Sequence, residues 1–155
     1  MTEGMIVIMR FICDEMFGSL ARWLRMSGYD VLYLQDVTDD IIIETAVREG
    51  RFILTRDKEI HRRFPHSLYM NENALHDQLR TVFHELGLNT EKRGSRCTSC
   101  NGLLTKADKK DVAELVPPFT YDNHETFYSC QDCGKIYWKG SHWKQIEGLL
   151  KNLKG

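Results

Sequence analysis

Four cysteines stand as two C-x-x-C pairs, Cys97/Cys100 and Cys130/Cys133, with Gly102 and Gly134 just after each pair. Four thiolates in two pairs form a tetrahedral site that suits Zn²⁺, and a site with four protein ligands is closed and structural. The 29 residues between the pairs fit a ribbon built on a hairpin. A redox dithiol would need one such pair at a thioredoxin-like strand–helix junction, and these pairs lie elsewhere. A second group is acidic: Asp14, Asp39, Asp40 and Asp57, with Glu15 and Glu59 as lesser candidates. Gathered carboxylates repel one another, and a hard divalent cation such as Mg²⁺ or Mn²⁺ relieves the repulsion through oxygen ligands. Such an ion activates water and neutralises phosphate charge, which is the chemistry of phosphodiester hydrolysis.

These residues need elements to position them. Met5–Cys13 is nearly all apolar, as expected of a strand covered on both faces. Phe17, Leu20, Ala21 and Leu24 follow at helical spacing, and Gly28 closes that helix. Asp30–Leu34 reads as a second strand. A helix with the stripe Ile43, Ala46 and Val47 follows, opened by Asp39-Asp40 and closed by Gly50. Phe52–Thr55 is a third strand, a short helix starts at Asp57, and Ser67–Met70 is a fourth strand. Leu75, Leu79, Val82, Phe83 and Leu86 mark another helix, which ends at Gly87. This alternation predicts an α/β fold with a parallel sheet and helices on its faces. Asp14, Asp39/Asp40 and Asp57 then all fall at the carboxyl ends of strands, where open α/β sheets bind ligands. The plainer reading is that they are loop acids and helix caps. Three successive strand exits favour a site, with one of Asp39 and Asp40 capping and the other, Asp40, ligating.

The chain has 155 residues and a formal charge of −1. Residues 1–90 carry −4 and residues 91–155 carry +3, so the near-neutral total joins an acidic body to a basic module. The shift falls at the polar stretch Asn89–Arg96, which divides a body (1–90) from a four-cysteine module with a terminal helix (91–155). That helix starts near Ser141, with Trp143, Ile146, Leu150 and Leu153 as its stripe. No segment is long enough to span a membrane, and Met5–Met9 is too short for a signal peptide, so the expected location is cytoplasmic.

Basic residues surround the acids. Arg22 and Arg25 lie off the first helix's apolar stripe, and Arg56 and Lys58 flank Asp57. Arginine clamps phosphate by paired hydrogen bonds, and Ser19 sits where a helix start favours an anion. The plainer reading is a solvated charged face. In the module, Lys106, Lys109, Lys110, Lys135, Lys139 and Lys144 are candidates for backbone contact. Phe127, Tyr128, Tyr137, Trp138 and Trp143 suit a small core better than base stacking. Cys13 reads as a buried apolar side chain, and His142 as a packed or capping one.

The motifs together resemble the mut-seven C-terminal ribonuclease domain family. They are Arg10–Leu24, Gly28–Leu34, Asp39–Gly50, Arg51–Lys58, Ser95–Leu103, Val116–Pro118 and Tyr137–Trp143, in order along nearly the whole chain. The resemblance implies a PIN-like three-layer α/β domain with a parallel sheet, followed by a small zinc ribbon. It implies an Mg²⁺- or Mn²⁺-dependent ribonuclease site and RNA as substrate. Asp14, Asp40 and Asp57 match the expected acids, and Asp39 is the candidate fourth.

Two other functions compete. A non-catalytic RNA-binding or ribonucleoprotein adaptor would keep the ribbon and leave the acids relict. A phosphoacceptor receiver also places acids after its first and third strands, but it needs further strands and a lysine after the fifth.

Overall fold

In the computed structural model, which describes residues 9–88 and 95–153, the first part of the chain is a four-stranded parallel sheet in the order β2-β1-β3-β4. The strands are β1 (Arg10–Cys13), β2 (Asp30–Tyr33), β3 (Phe52–Thr55) and β4 (Ser67–Tyr69). The helices are α1 (Gly18–Met26), α2 (Asp39–Glu49), α3 (Lys58–Arg63) and α4 (Leu75–Glu85). Most of Met1–Met9 and of the Asn89–Arg96 junction lies outside the described residues, as do the side chains of Ser141, His142, Trp143 and Ile146.

Side-chain alternation makes three layers. Phe11, Cys13 and Leu54 point to one face, with Leu20 and Leu24 of α1 and Leu79 and Val82 of α4. Ile12 and Ile53 point to the other, with Ile42 and Ala46 of α2 and Ile60 of α3. Both faces are covered, which explains why β1 and β3 are apolar at nearly every position. Cys13 is fully buried, and burial in that apolar layer pushes its thiol far above its ordinary range.

The buried stripe of α2 differs from the expected one. Ile42, Thr45 and Ala46 face inward, Ile43 is half-buried, and Val47 is 65% exposed. The start of the helix also differs. Thr38, not Asp39 or Asp40, precedes the helix, and its Oγ1 accepts from the Ile41 N–H at 3.4 Å.

The second part is a three-stranded antiparallel sheet, β5 (Leu104–Ala107), β6 (Phe127–Cys130) and β7 (Ile136–Trp138), with a short helix α5 (Pro118–Asn123) between β5 and β6. Its core is Phe127, Val112 and Val116, with Tyr121, Ile136 and Trp138 packed around them. Phe127 and Trp138 are therefore core residues. The last helix, α6 (Ser141–Leu153), turns back: Leu149, Leu150 and Leu153 pack on the α1–α4 layer of the parallel sheet. No helix among the described residues is long and apolar enough to cross a membrane.

Candidate functional site

The loops after β1 and β3 leave the sheet towards opposite layers, because α1 packs on one face and α3 on the other. A crevice opens between them at the carboxyl edge, as expected at a switch point in strand order. It is a cleft of about 550 Å³ lined by Asp14, Glu15, Asp36, Asp39 and Asp57, with Arg56 and Lys58. Met16, Leu34, Val37, Ile42, Ile60 and Tyr69 supply its apolar wall.

Asp14 is the most fixed of these acids. It is only 8% exposed. Its Oδ1 accepts from the Met16 N–H at 3.0 Å, and its Oδ2 accepts from Thr55 Oγ1 at 2.7 Å and the Arg56 N–H at 3.1 Å. Asp57 caps α3, with Oδ1 accepting from the Glu59 N–H at 2.8 Å, while Thr55 Oγ1 accepts from the Asp57 N–H at 2.9 Å. Asp39 lies beside Asp57: desolvation, then the charge of Asp57, raises the Asp39 carboxyl above its ordinary value.

Asp40 does not join them. Its side chain is 75% exposed and pairs with Arg63, outside the cleft lining. Of the two, Asp39 lines the cleft. One residue is about 100° of helix, so the two adjacent acids point in different directions once Ile42 and Ala46 are buried. Asp36 is an acid of the cleft that the sequence pattern did not single out. It sits in a loop with φ +56°, a left-handed conformation uncommon outside glycine and tolerated by Asp. Glu15 lines the cleft, whereas Glu59 is ion-paired to Arg62 on the exposed face of α3.

A divalent cation fits the chemistry of Asp14, Asp39 and Asp57. Desolvation and the charge of Asp57 disfavour an ionised Asp39, a cost that a cation beside these carboxylates would relieve. Among the described residues, no three carboxylates lie as close as the cysteine sulfurs do.

The expected basic contacts divide. Arg56 and Lys58 line the cleft. Arg22 and Ser19 are exposed on α1 and lie outside the lining. Ser19 does not cap α1; Phe17 holds that position without a side-chain cap bond. Arg25 is not a surface residue. It is 6% exposed, with Nε donating to the Val31 carbonyl at 2.9 Å and Nη1 to the Thr98 carbonyl at 2.8 Å.

Thr98 belongs to the first cysteine knuckle, so Arg25 joins the two sheets. Other bonds reinforce the joint. The Asn101 side chain donates to Asp30 Oδ1 at 2.7 Å and accepts from the Val31 N–H at 3.0 Å. Arg51, itself buried, donates to the same Asp30 Oδ1 at 2.8 Å and to the Phe11 carbonyl at 2.9 Å. The knuckle thus grips the first residues of β2, at the amino edge of the sheet and opposite the acids.

The four cysteine sulfurs lie within 4.8 Å of one another. Cys97 and Cys133 are 3.7 Å apart and Cys100 and Cys130 3.4 Å, near the roughly 3.8 Å edge of a tetrahedron with Zn–S bonds of about 2.3 Å. Burial opposes ionisation of Cys97, but hydrogen bonds from Tyr137 and from the Cys100 and Ser99 N–H groups pull its thiol well below the ordinary value. The cluster fits a structural zinc. Its backbone turns are not made by both glycines. Asn101 takes φ +72° in the first knuckle and Gly134 φ +78° in the second. Gly102 serves close approach instead: a Cβ there would stand 2.7 Å from both Cys130 Sγ and Asp132 Oδ2.

Comparison with known proteins adds a family. The model of the Mut7-C RNAse domain matches residues 9–150. A cysteine--tRNA ligase of Bordetella avium (strain 197N) is 33% identical over 111 residues, 66% of this chain and 21% of that protein. A cysteine--tRNA ligase of Ralstonia nicotianae (strain ATCC BAA-1114 / GMI1000) is 51% identical over 39 residues, 24% of this chain and 8% of that protein. The chain thus spans about a fifth or less of these curated relatives. No solved structure matches.

Proposed function

We propose a reading from one premise: the chain belongs to the Mut7-C RNAse domain family. It is a ribonuclease whose site is the cleft at the carboxyl edge of the parallel sheet. The observation that carries this is the meeting of Asp14, Asp39 and Asp57 there, from three separate strand exits.

Asp14, Asp39 and Asp57 would hold Mg²⁺ or Mn²⁺, and such an ion when bound supplies Lewis acidity towards a phosphodiester. The protein's own part is positioning. Thr55 orients Asp14 and, through the backbone, Asp57. The apolar wall of Ile42 and Ile60 lowers the local dielectric beneath the acids, which strengthens their hold on a cation. Asp39, whose carboxyl is raised by desolvation and by the charge of Asp57, would be stabilised in its ionised form by a cation beside it. Arg56 and Lys58 bring positive charge to the same cleft for an RNA backbone. The body (1–90) carries the chemistry. The ribbon (91–155) is held by structural zinc, and its lysines extend the RNA contact.

The test is incubation of purified protein with single-stranded RNA and Mn²⁺ or Mg²⁺, beside Asp57→Asn. Cleavage that depends on the metal and is lost in the variant is expected. Cleavage that survives in Asp57→Asn overturns the reading. Binding without cleavage returns the chain to the non-catalytic RNA adaptor, a role the ribbon would serve alone.

A further inference from the structure

Two cations line the acidic cleft, and they differ in what already holds them. The Arg56 guanidinium donates to the Glu72 carbonyl and to Asn73 Oδ1, and lies 5.7 Å from the centroid of the Phe17 ring. It is committed to the wall. Lys58 is exposed, adjoins Asp57, and shares the cleft with five carboxylates, yet it has no ion pair among the described residues. Its Nζ instead lies 5.7 Å from the centroid of the Tyr69 ring. Tyr69 ends β4 and lines the same cleft.

An ammonium beside so many carboxylates would ordinarily fall onto one. There it would neutralise an acid needed elsewhere and be unavailable to a ligand. An aromatic face attracts a cation more weakly than a carboxylate does, so it restrains the ammonium without retaining it against a phosphate. We propose that Lys58 is the phosphate-gripping cation of the cleft, and that Tyr69 is its positioning residue, keeping the ammonium off the acids until a phosphate of single-stranded RNA takes it. This rests on the nucleic-acid reading of the same cleft and deepens it. Tyr69 is neutral and touches no reacting group, so a salt-dependent effect of its substitution is diagnostic.

The experiment is binding of a fluorescent single-stranded RNA to the full, zinc-loaded chain across a salt series. Ca²⁺ replaces Mg²⁺, and RNA integrity is checked on a gel. One phosphate contact contributes about 0.7 to the slope of log K against log salt for single strands. Lys58→Gln is expected to lower the slope by about that amount, and Lys58→Arg to restore it. Tyr69→Phe keeps the ring and the wild-type slope. Tyr69→Leu, with its fold checked by circular dichroism, lowers the slope like Lys58→Gln although no charge is removed. An unchanged slope in Lys58→Gln overturns the proposal. An unchanged slope in Tyr69→Leu overturns the part given to Tyr69. Cleavage in Mn²⁺ with an unchanged slope in Lys58→Gln sinks this inference alone. The expected slopes with no cleavage sink the nuclease reading alone. No binding by the wild-type chain sinks both.

Discussion

Thr55 Oγ1 donates to Asp14 Oδ2 at 2.7 Å from a side chain with no solvent exposure. The same oxygen accepts from the Asp57 N–H, so one hydroxyl ties together acids from two strand exits. Thr55→Val keeps the shape and removes both bonds. Loss of a partner that orients a metal-holding group is expected to cost about 10–100-fold in activity or metal affinity. Thr55→Ser should restore most of it. Mn²⁺ titration of cleavage rates for the three proteins checks this.

Asp39 and Asp40 are adjacent in sequence and separate in place: Asp39 lines the cleft and Asp40 pairs with Arg63 outside it. Asp39→Asn and Asp57→Asn should both abolish metal-dependent cleavage, because each removes a carboxylate from the pair in the cleft. Asp40→Asn should leave cleavage at the wild-type level, since it loses only a solvent-screened pair with Arg63. Equal damage from Asp39→Asn and Asp40→Asn would refute the assignment.

The joint between the sheets makes stability depend on the cysteine site. Asn101→Ala leaves Asp30 and the Val31 N–H each short of a partner, an expected loss of about 1–3 kcal/mol. The variant also places Ala at φ +72°, so Asn101→Gly is the control that removes the bonds without the strain. Chelation of zinc should lower the melting temperature of the parallel sheet as well as the ribbon. The melting of the wild-type chain with and without chelator, followed by far-UV circular dichroism, tests it. Insensitivity of Asn101→Ala would show the joint to be idle.

Asp30 predicts an acid limit. Burial alone would raise its carboxyl, but hydrogen bonds from Arg51 and Asn101 outweigh that and hold it below the ordinary 3.8. A folded-state value below the unfolded one stabilises the protein above pH 3.8, and the contribution is lost as pH falls through the folded value. Wild type should therefore lose stability on acidification in that range more steeply than Asp30→Asn, which starts lower and titrates less. Denaturant midpoints between neutral pH and pH 3 for both proteins measure the difference.

What the sequence made legible follows from what is local. The cysteine pairs announce themselves because thiolate chemistry demands that spacing. Asp14 and Asp57 stand out because each follows an apolar run that has only one plausible end. The choice between Asp39 and Asp40 depended on helix phase. Three consecutive isoleucines, Ile41–Ile43, fit more than one phase, and only packing against the sheet selects Ile42 as the buried one. The burial of Arg25 was not legible at all. It depends on the Thr98 carbonyl, 73 positions away, and no local pattern encodes such a contact.

The grip of the cysteine knuckle on β2 also carries a consequence for timing. Its bonds join residues 25–31 to residues 98–101, across some seventy positions of chain. Every acid of the cleft leaves the ribosome before the knuckle does. A nascent chain that stops short of Cys97 holds all the carboxylates but not the clasp on the strand beside them. Its body lacks that fastening until the later part of the chain has been made.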